Sequence, residues 1–141
     1  MTYPTHQMPC PKEDREQQTV VEWARWQEGA RTELRNLYAV PNGAKRTRGQ
    51  GGKQVGLGLR KGVPDLCLAW PAPARLTAEG VVGPFHGLYI EMKRERGGRI
   101  EPEQQDWAER LIRAGYAHIF AKGADQAIAA IREYLGMGVE R

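Results

Sequence analysis

The sequence predicts an α/β fold, a central mixed β-sheet flanked by helices in the order α-β-β-β-α-β-α. Three observations predict it. Apolar residues recur at helical spacing in three stretches. Short apolar runs bounded by glycine and proline lie between those stretches and read as strands. The chain of 141 residues, 40% hydrophobic and 27% charged, is sized for one domain with one core.

Residues 1–12 carry Pro4, Pro9 and Pro11 and read as an irregular arm. The domain proper is expected over 13–136, with 137–141 as a tail. The first helix runs from Glu13 to about Glu28, its stripe marked by Val20, Trp23, Ala24 and Gln27 and widened by Val21, with Gly29 as its stop. Asn36–Val40 reads as a short strand closed by Pro41-Asn42-Gly43. Leu66–Trp70 is the second strand. The stretch from Pro71 to Pro84 has no firm pattern and is read as a hairpin connection with room for extra turns, and Gly87–Lys93 is the third strand. Pro102 opens a helix to about Ala114, with Trp107, Leu111 and Ala114 along its stripe. Tyr116–Phe120 is the last strand, and Asp125–Leu135 a final helix facing inward through Ile128, Ile131 and Leu135.

Two short signals sit at strand edges: Val63-Pro64-Asp65 before the second strand, and Ile90-Glu91-Met92-Lys93 at the end of the third. Alternate residues of a strand share a face, so Glu91 and Lys93 point the same way. If Asp65 lies on a neighbouring strand, two carboxylates and an ammonium converge. Hard oxygen ligands of this kind suit Mg²⁺ or Mn²⁺, and Asp65, Glu91 and the Met92 carbonyl are the candidate ligands. Lys93 is placed to orient or deprotonate an attacking water and to stabilise developing charge. Each signal alone is commonplace, since a surface Glu–Lys pair contributes little.

The charge distribution strengthens them. The net charge is +4 with a pI of about 9.3, and between Leu34 and Ala78 the basic residues are Arg35, Lys45, Arg46, Arg48, Lys53, Arg60, Lys61 and Arg75, with Asp65 the single acid. A basic field around a lone carboxylate fits a phosphate backbone. Lys45, Arg46, Arg48, Lys53, Arg60 and Lys61 are the candidate DNA-binding residues. All six lie in the glycine-rich segment from Gly43 to Gly62, where glycine allows close approach to phosphates.

Other chemistries are excluded by residue type. Gly52-Lys53 is followed by Gln54 where a phosphate-binding nucleotide loop needs Ser or Thr, so no nucleotide cofactor is expected. The chain has no serine, which removes Ser/His/Asp catalysis. His6, His86 and His118 lack metal-ligand spacing, and His118 on a strand reads as structural. Cys10 and Cys67 support neither a disulfide nor a thiolate zinc site. No apolar stretch approaches the roughly 20 residues of a membrane span, and the N-terminus lacks a secretory pattern. A cytoplasmic location is expected.

The chain resembles the VRR-NUC domain family of the PD-(D/E)xK nuclease superfamily. The resemblance extends from Glu13 to Leu135. It rests on Glu13-x-x-x-Gln17 with Trp23, Pro41-Asn42-Gly43, Lys61-Gly62-Val63-Pro64-Asp65-Leu66, Leu88–Lys93, Pro102-Glu103-Gln104 with Trp107, and Ala114-Gly115-Tyr116. It implies a restriction-endonuclease-like core and a Mg²⁺- or Mn²⁺-dependent DNA endonuclease with Asp65, Glu91 and Lys93 at the catalytic positions. It adds a helical acid to the metal site, matched best by Glu13 with Glu16 a turn further on, and Gln104 near the active site. It further implies a homodimer acting on branched, Holliday-junction-like DNA, in a bacterial or phage-infected host cell. The apolar residues Trp26, Trp70, Val81, Val82 and Phe85 either supply such an interface or fill the core. The alternatives are a non-catalytic DNA-binding module that retains the fold, or a nuclease subunit of a larger repair or replication complex.

Overall fold

The computed structural model describes residues 10–41 and 56–138. Helix α1 spans Glu13–Gln27, with Glu13, Asp14 and Glu16 in its first turn and Arg25 in its last, the charge order that a helix dipole favours. A 3₁₀ turn, Thr32–Asn36, leads into strand β1, Leu37–Ala39. Strand β2 is Leu66–Leu68 and β5 is Leu88–Lys93. Between them lies a separate hairpin of β3, Arg75–Thr77, and β4, Gly80–Val82. Helix α2, Pro102–Arg113, strand β6, Ala117–Lys122, and helix α3, Ala124–Tyr134, complete the order.

The main sheet runs β1-β2-β5-β6. The first two pairings are antiparallel and β5–β6 is parallel, so the sheet is mixed and α2 serves as the crossover that parallel neighbours require. The helix–strand order expected from the sequence is therefore present, with the hairpin added. That hairpin lies in the stretch read as patternless, because strands of three residues are too short for alternation to declare itself.

One sheet face carries the core. Leu66 and Leu68 of β2, with Leu88, Ile90 and Met92 of β5, pack beneath Val20 and Ala24 of α1 and Ala124, Ala127 and Ile131 of α3. Helix α2 lies on the opposite face and buries Ala108 and Leu111. Ala114 is exposed at the C-cap of α2, outside the stripe assigned to it from spacing. Trp26 and Val81 are 87% and 71% exposed, so neither fills the core, whereas Val82 and Phe85 are half-buried. Cys10 and Cys67 are both free thiols. Among the described residues no helix is long and apolar enough to cross a membrane.

Candidate active site

Register brings the two strand-edge signals together. Leu66 pairs with Ile90, so the preceding Asp65 stands opposite Glu91, and the Val40 N–H donates to the Asp65 carbonyl at 2.8 Å to continue the ladder. The Met92 N–H donates to Asp65 Oδ2 at 2.8 Å, which holds that carboxylate across the strand pair. Gly62 sets the approach of this segment. Its φ is +89°, and a Cβ there would come within 2.7 Å of the Glu103 backbone, so only glycine lets the loop lie against the first turn of α2. The Trp107 indole N–H then donates to the Lys61 carbonyl at 3.1 Å and fastens the loop.

Glu91 and Lys93 are 2% and 5% exposed on the α2 side of β5. Burial of two charges demands partners, and Gln104 supplies one to each. Its Nε2 donates to Glu91 Oε1 at 2.8 Å, while its Oε1 accepts from Lys93 Nζ at 2.6 Å and from the Glu101 N–H at 2.9 Å. Gln104 thus caps the start of α2 and bridges acid and base. Lys93 Nζ also donates to the Arg99 carbonyl at 2.6 Å and stands 3.9 Å from Glu91 Oε1.

Glu91 Oε2, by contrast, is buried with no hydrogen-bond partner. Burial first, and then the negative charge of Asp65, push the Glu91 carboxyl up to about 8, against the opposing pull of Lys93. An orphaned, buried carboxylate oxygen beside a second carboxylate is a setting that a divalent cation satisfies. Among the described residues no group of three or more His, Cys, Asp or Glu side chains is gathered to hold a metal. The donor set among the described side chains is the two carboxylates, Asp65 and Glu91.

The two helical candidates part company. Glu16 Oε2 accepts the Ala124 N–H at the start of α3, so that carboxylate is engaged in joining α1 to α3. Glu13 is half-buried, and its charge contributes to the upward shift of Glu91. Arg60 is exposed, and Lys61 is exposed with Glu103 at 3.3 Å. Lys45, Arg46, Arg48 and Lys53 lie outside the described residues.

Sequence reasoning missed the Arg99 carbonyl and the Glu101 N–H as parts of this network. The available signal was Glu101-Pro102-Glu103-Gln104, a proline at the first helical position with a glutamine two residues on, which places the Gln104 side chain back over the helix start.

A mixed sheet with helices on both faces, bearing Asp, Glu-x-Lys and a helix-borne Gln at one end, is a nuclease-type α/β domain. The chain belongs to the VRR-NUC family, whose domain model matches residues 6–125. It is similar to a solved structure described as a VRR_NUC domain protein, at 27% identity over 92% of this chain and 93% of that one, with a TM-score of 0.72. None of the curated proteins matches it in sequence. The family is one of nuclease-type domains that act on DNA and generally use divalent metals.

Proposed function

We propose that this chain is a Mg²⁺- or Mn²⁺-dependent DNA endonuclease, selective for branched DNA and acting as a homodimer. The observation that carries the reading is the unpartnered Glu91 Oε2 beside Asp65, with Lys93 and Gln104 fixed around them. Asp65, Glu91 and the Met92 carbonyl would hold the cation, and Glu13, which does not lie gathered with the two carboxylates in the structure, would join them only on binding. When bound, it neutralises charge on the phosphoryl oxygens and makes an attacking water a better nucleophile.

The chain's own residues do the rest. Gln104 and the Arg99 carbonyl hold the Lys93 ammonium in one orientation, and from there it stabilises negative charge that develops on the phosphate or on the attacking water. Gln104 also keeps one Glu91 oxygen occupied, which turns the other toward the cation. Arg60, with Lys45, Arg46, Arg48 and Lys53, supplies the sequence-independent attraction for the DNA backbone. Two copies would place two centres on one symmetric branch, each cutting one strand.

The test is cleavage of a four-way junction, a flap, a duplex and a single strand with Mg²⁺ or Mn²⁺, beside Lys93→Ala. Wild-type protein is expected to cut branched substrates first, to stop on chelation, and to lose activity on substitution. Binding without cleavage would instead make the chain a non-catalytic module, and equal cutting of all four would remove the selectivity. Light scattering after gel filtration is expected to give twice the chain mass.

A further inference from the structure

We infer that Tyr38 is a stacking platform for an unpaired nucleobase beside the phosphate held at the Asp65–Glu91 centre. The inference rests on the endonuclease reading for the position of that phosphate.

Strand register puts Tyr38 on the same face as the carboxylates. Tyr38 pairs with Cys67, and Cys67 with Tyr89, so these three side chains form a row across β1, β2 and β5. Asp65 and Glu91 lie two residues further along the same strands, on the same face. Two residues of strand cover roughly 7 Å, which puts the row next to the carboxylates without blocking them.

The row is aromatic and anchored. The Tyr89 ring meets Tyr116 edge-on at 5.3 Å, and Tyr116 meets His86 at 5.6 Å. Cys67 beneath is 3% exposed, yet Tyr38 at the sheet edge remains 50% exposed. Hydrogen bonding to the Cys67 thiol, then burial, pushes the Tyr38 phenol up to about 12, so the ring is neutral wherever DNA is intact. A large aromatic surface left half open on the site's own face, beside a basic chain, is suited to a base with an exposed π-face. Paired bases in a duplex have both faces covered by their neighbours. An unpaired nucleotide at a flap or junction does not, so the platform favours DNA with a strand displaced at the cut.

The experiment uses full-length Lys93→Ala protein with Mg²⁺, so that no strand is cut, and a flap carrying 2-aminopurine at the unpaired nucleotide nearest the branch. Binding should quench its fluorescence. Adding Tyr38→Leu should abolish the quench and weaken flap binding about 5- to 150-fold, the range for removal of one base–aromatic stack. Tyr38→Phe should keep both, which separates stacking from loss of fold or of the hydroxyl. Perfect duplex binding should change less than about twofold in either variant. Undiminished flap binding by Tyr38→Leu, or an equal loss on duplex, would overturn the platform. Failure of wild-type protein to cut any DNA overturns the endonuclease reading instead, whatever the quench shows.

Discussion

The two faces of β5 are buried to a similar depth and by opposite means. On one face Leu88, Ile90 and Met92 are at most 3% exposed and meet apolar side chains of α1 and α3. On the other, Glu91 and Lys93 are 2% and 5% exposed and meet an amide, a backbone carbonyl and a second carboxylate. Apolar burial is favourable in proportion to area and needs no particular partner. Burial of charge is unfavourable until every donor and acceptor is matched. One strand of six residues therefore carries both a face of the core and the face proposed for the chemistry, separated by a rotation of one residue.

Paired substitutions should pull these faces apart. Lys93→Met keeps side-chain length and removes the ammonium, and is expected to lower kcat for DNA cleavage by about 10²–10⁴. Ile90→Ala should instead cost about 2–5 kcal/mol of unfolding free energy, with kcat per folded molecule near wild type. Urea unfolding and single-turnover cleavage read the two quantities separately. Comparable activity losses in both variants would mean that the faces are not functionally distinct.

Gln104 tests how much the polar face depends on its bridge. Gln104→Ala leaves Glu91 and Lys93 in place but removes the amide joined to both, and is expected to cost roughly 10–100-fold in activity, as loss of a ligand's hydrogen-bond partner does. Raising the metal concentration should recover part of it. If a metal titration moves neither activity nor apparent affinity, Gln104 serves only as a helix cap.

His118 extends the contrast to β6. It pairs with Tyr89 and carries a buried Nε2 without a partner, and burial pushes its imidazole down to about 4. Since the ordinary value is 6.5, the unfolded chain takes up a proton that the folded chain refuses between those two pH values. Stability is expected to fall as pH drops from 6.5 to about 4, by about 2 kcal/mol once solvent screening of the partly exposed ring is allowed for, and this part of the loss should level off below 4. His118→Phe should remove that part of the acid slope. Parallel slopes for the two proteins in urea melts at several pH values would refute the assignment.

The apolar face was legible in the sequence, because its pattern is local: Val20 and Ala24 repeat at helical spacing, and Leu88, Ile90 and Met92 at every second residue. Alternation also put Glu91 and Lys93 on one side, but it could not pair β2 with β5, so Asp65 joined them only conditionally. By local pattern Gln104 is any solvated helix glutamine, and only the family resemblance singles it out. Its contacts reach back 11 and 13 residues to a neighbouring strand, farther than helix periodicity reports. Glu16 was harder still, since the partner that separates it from Glu13 is 108 residues away. The hairpin at Arg75–Val82 escaped because Leu76 and Val81, its cross-strand apolar pair, are 82% and 71% exposed and mark no buried side.

The smallest expected effect concerns the basic segment, for which we propose an attraction to DNA that does not read sequence. Neutralising Lys45, Arg46 and Arg48 together should weaken DNA binding at low salt. It should also flatten the dependence of log Kd on log salt by up to about 0.9 for each phosphate left without its cation. Cleavage at saturating DNA is expected to change little, because a sequence-independent attraction acts on encounter and not on the chemical step. Titrations from low to physiological salt measure the slope, and single-turnover rates at saturation measure the rest. An unchanged slope would show that the segment does not touch phosphates. A lower saturated rate would place it at the centre itself, and the division between an attracting surface and a buried chemical face would then fail.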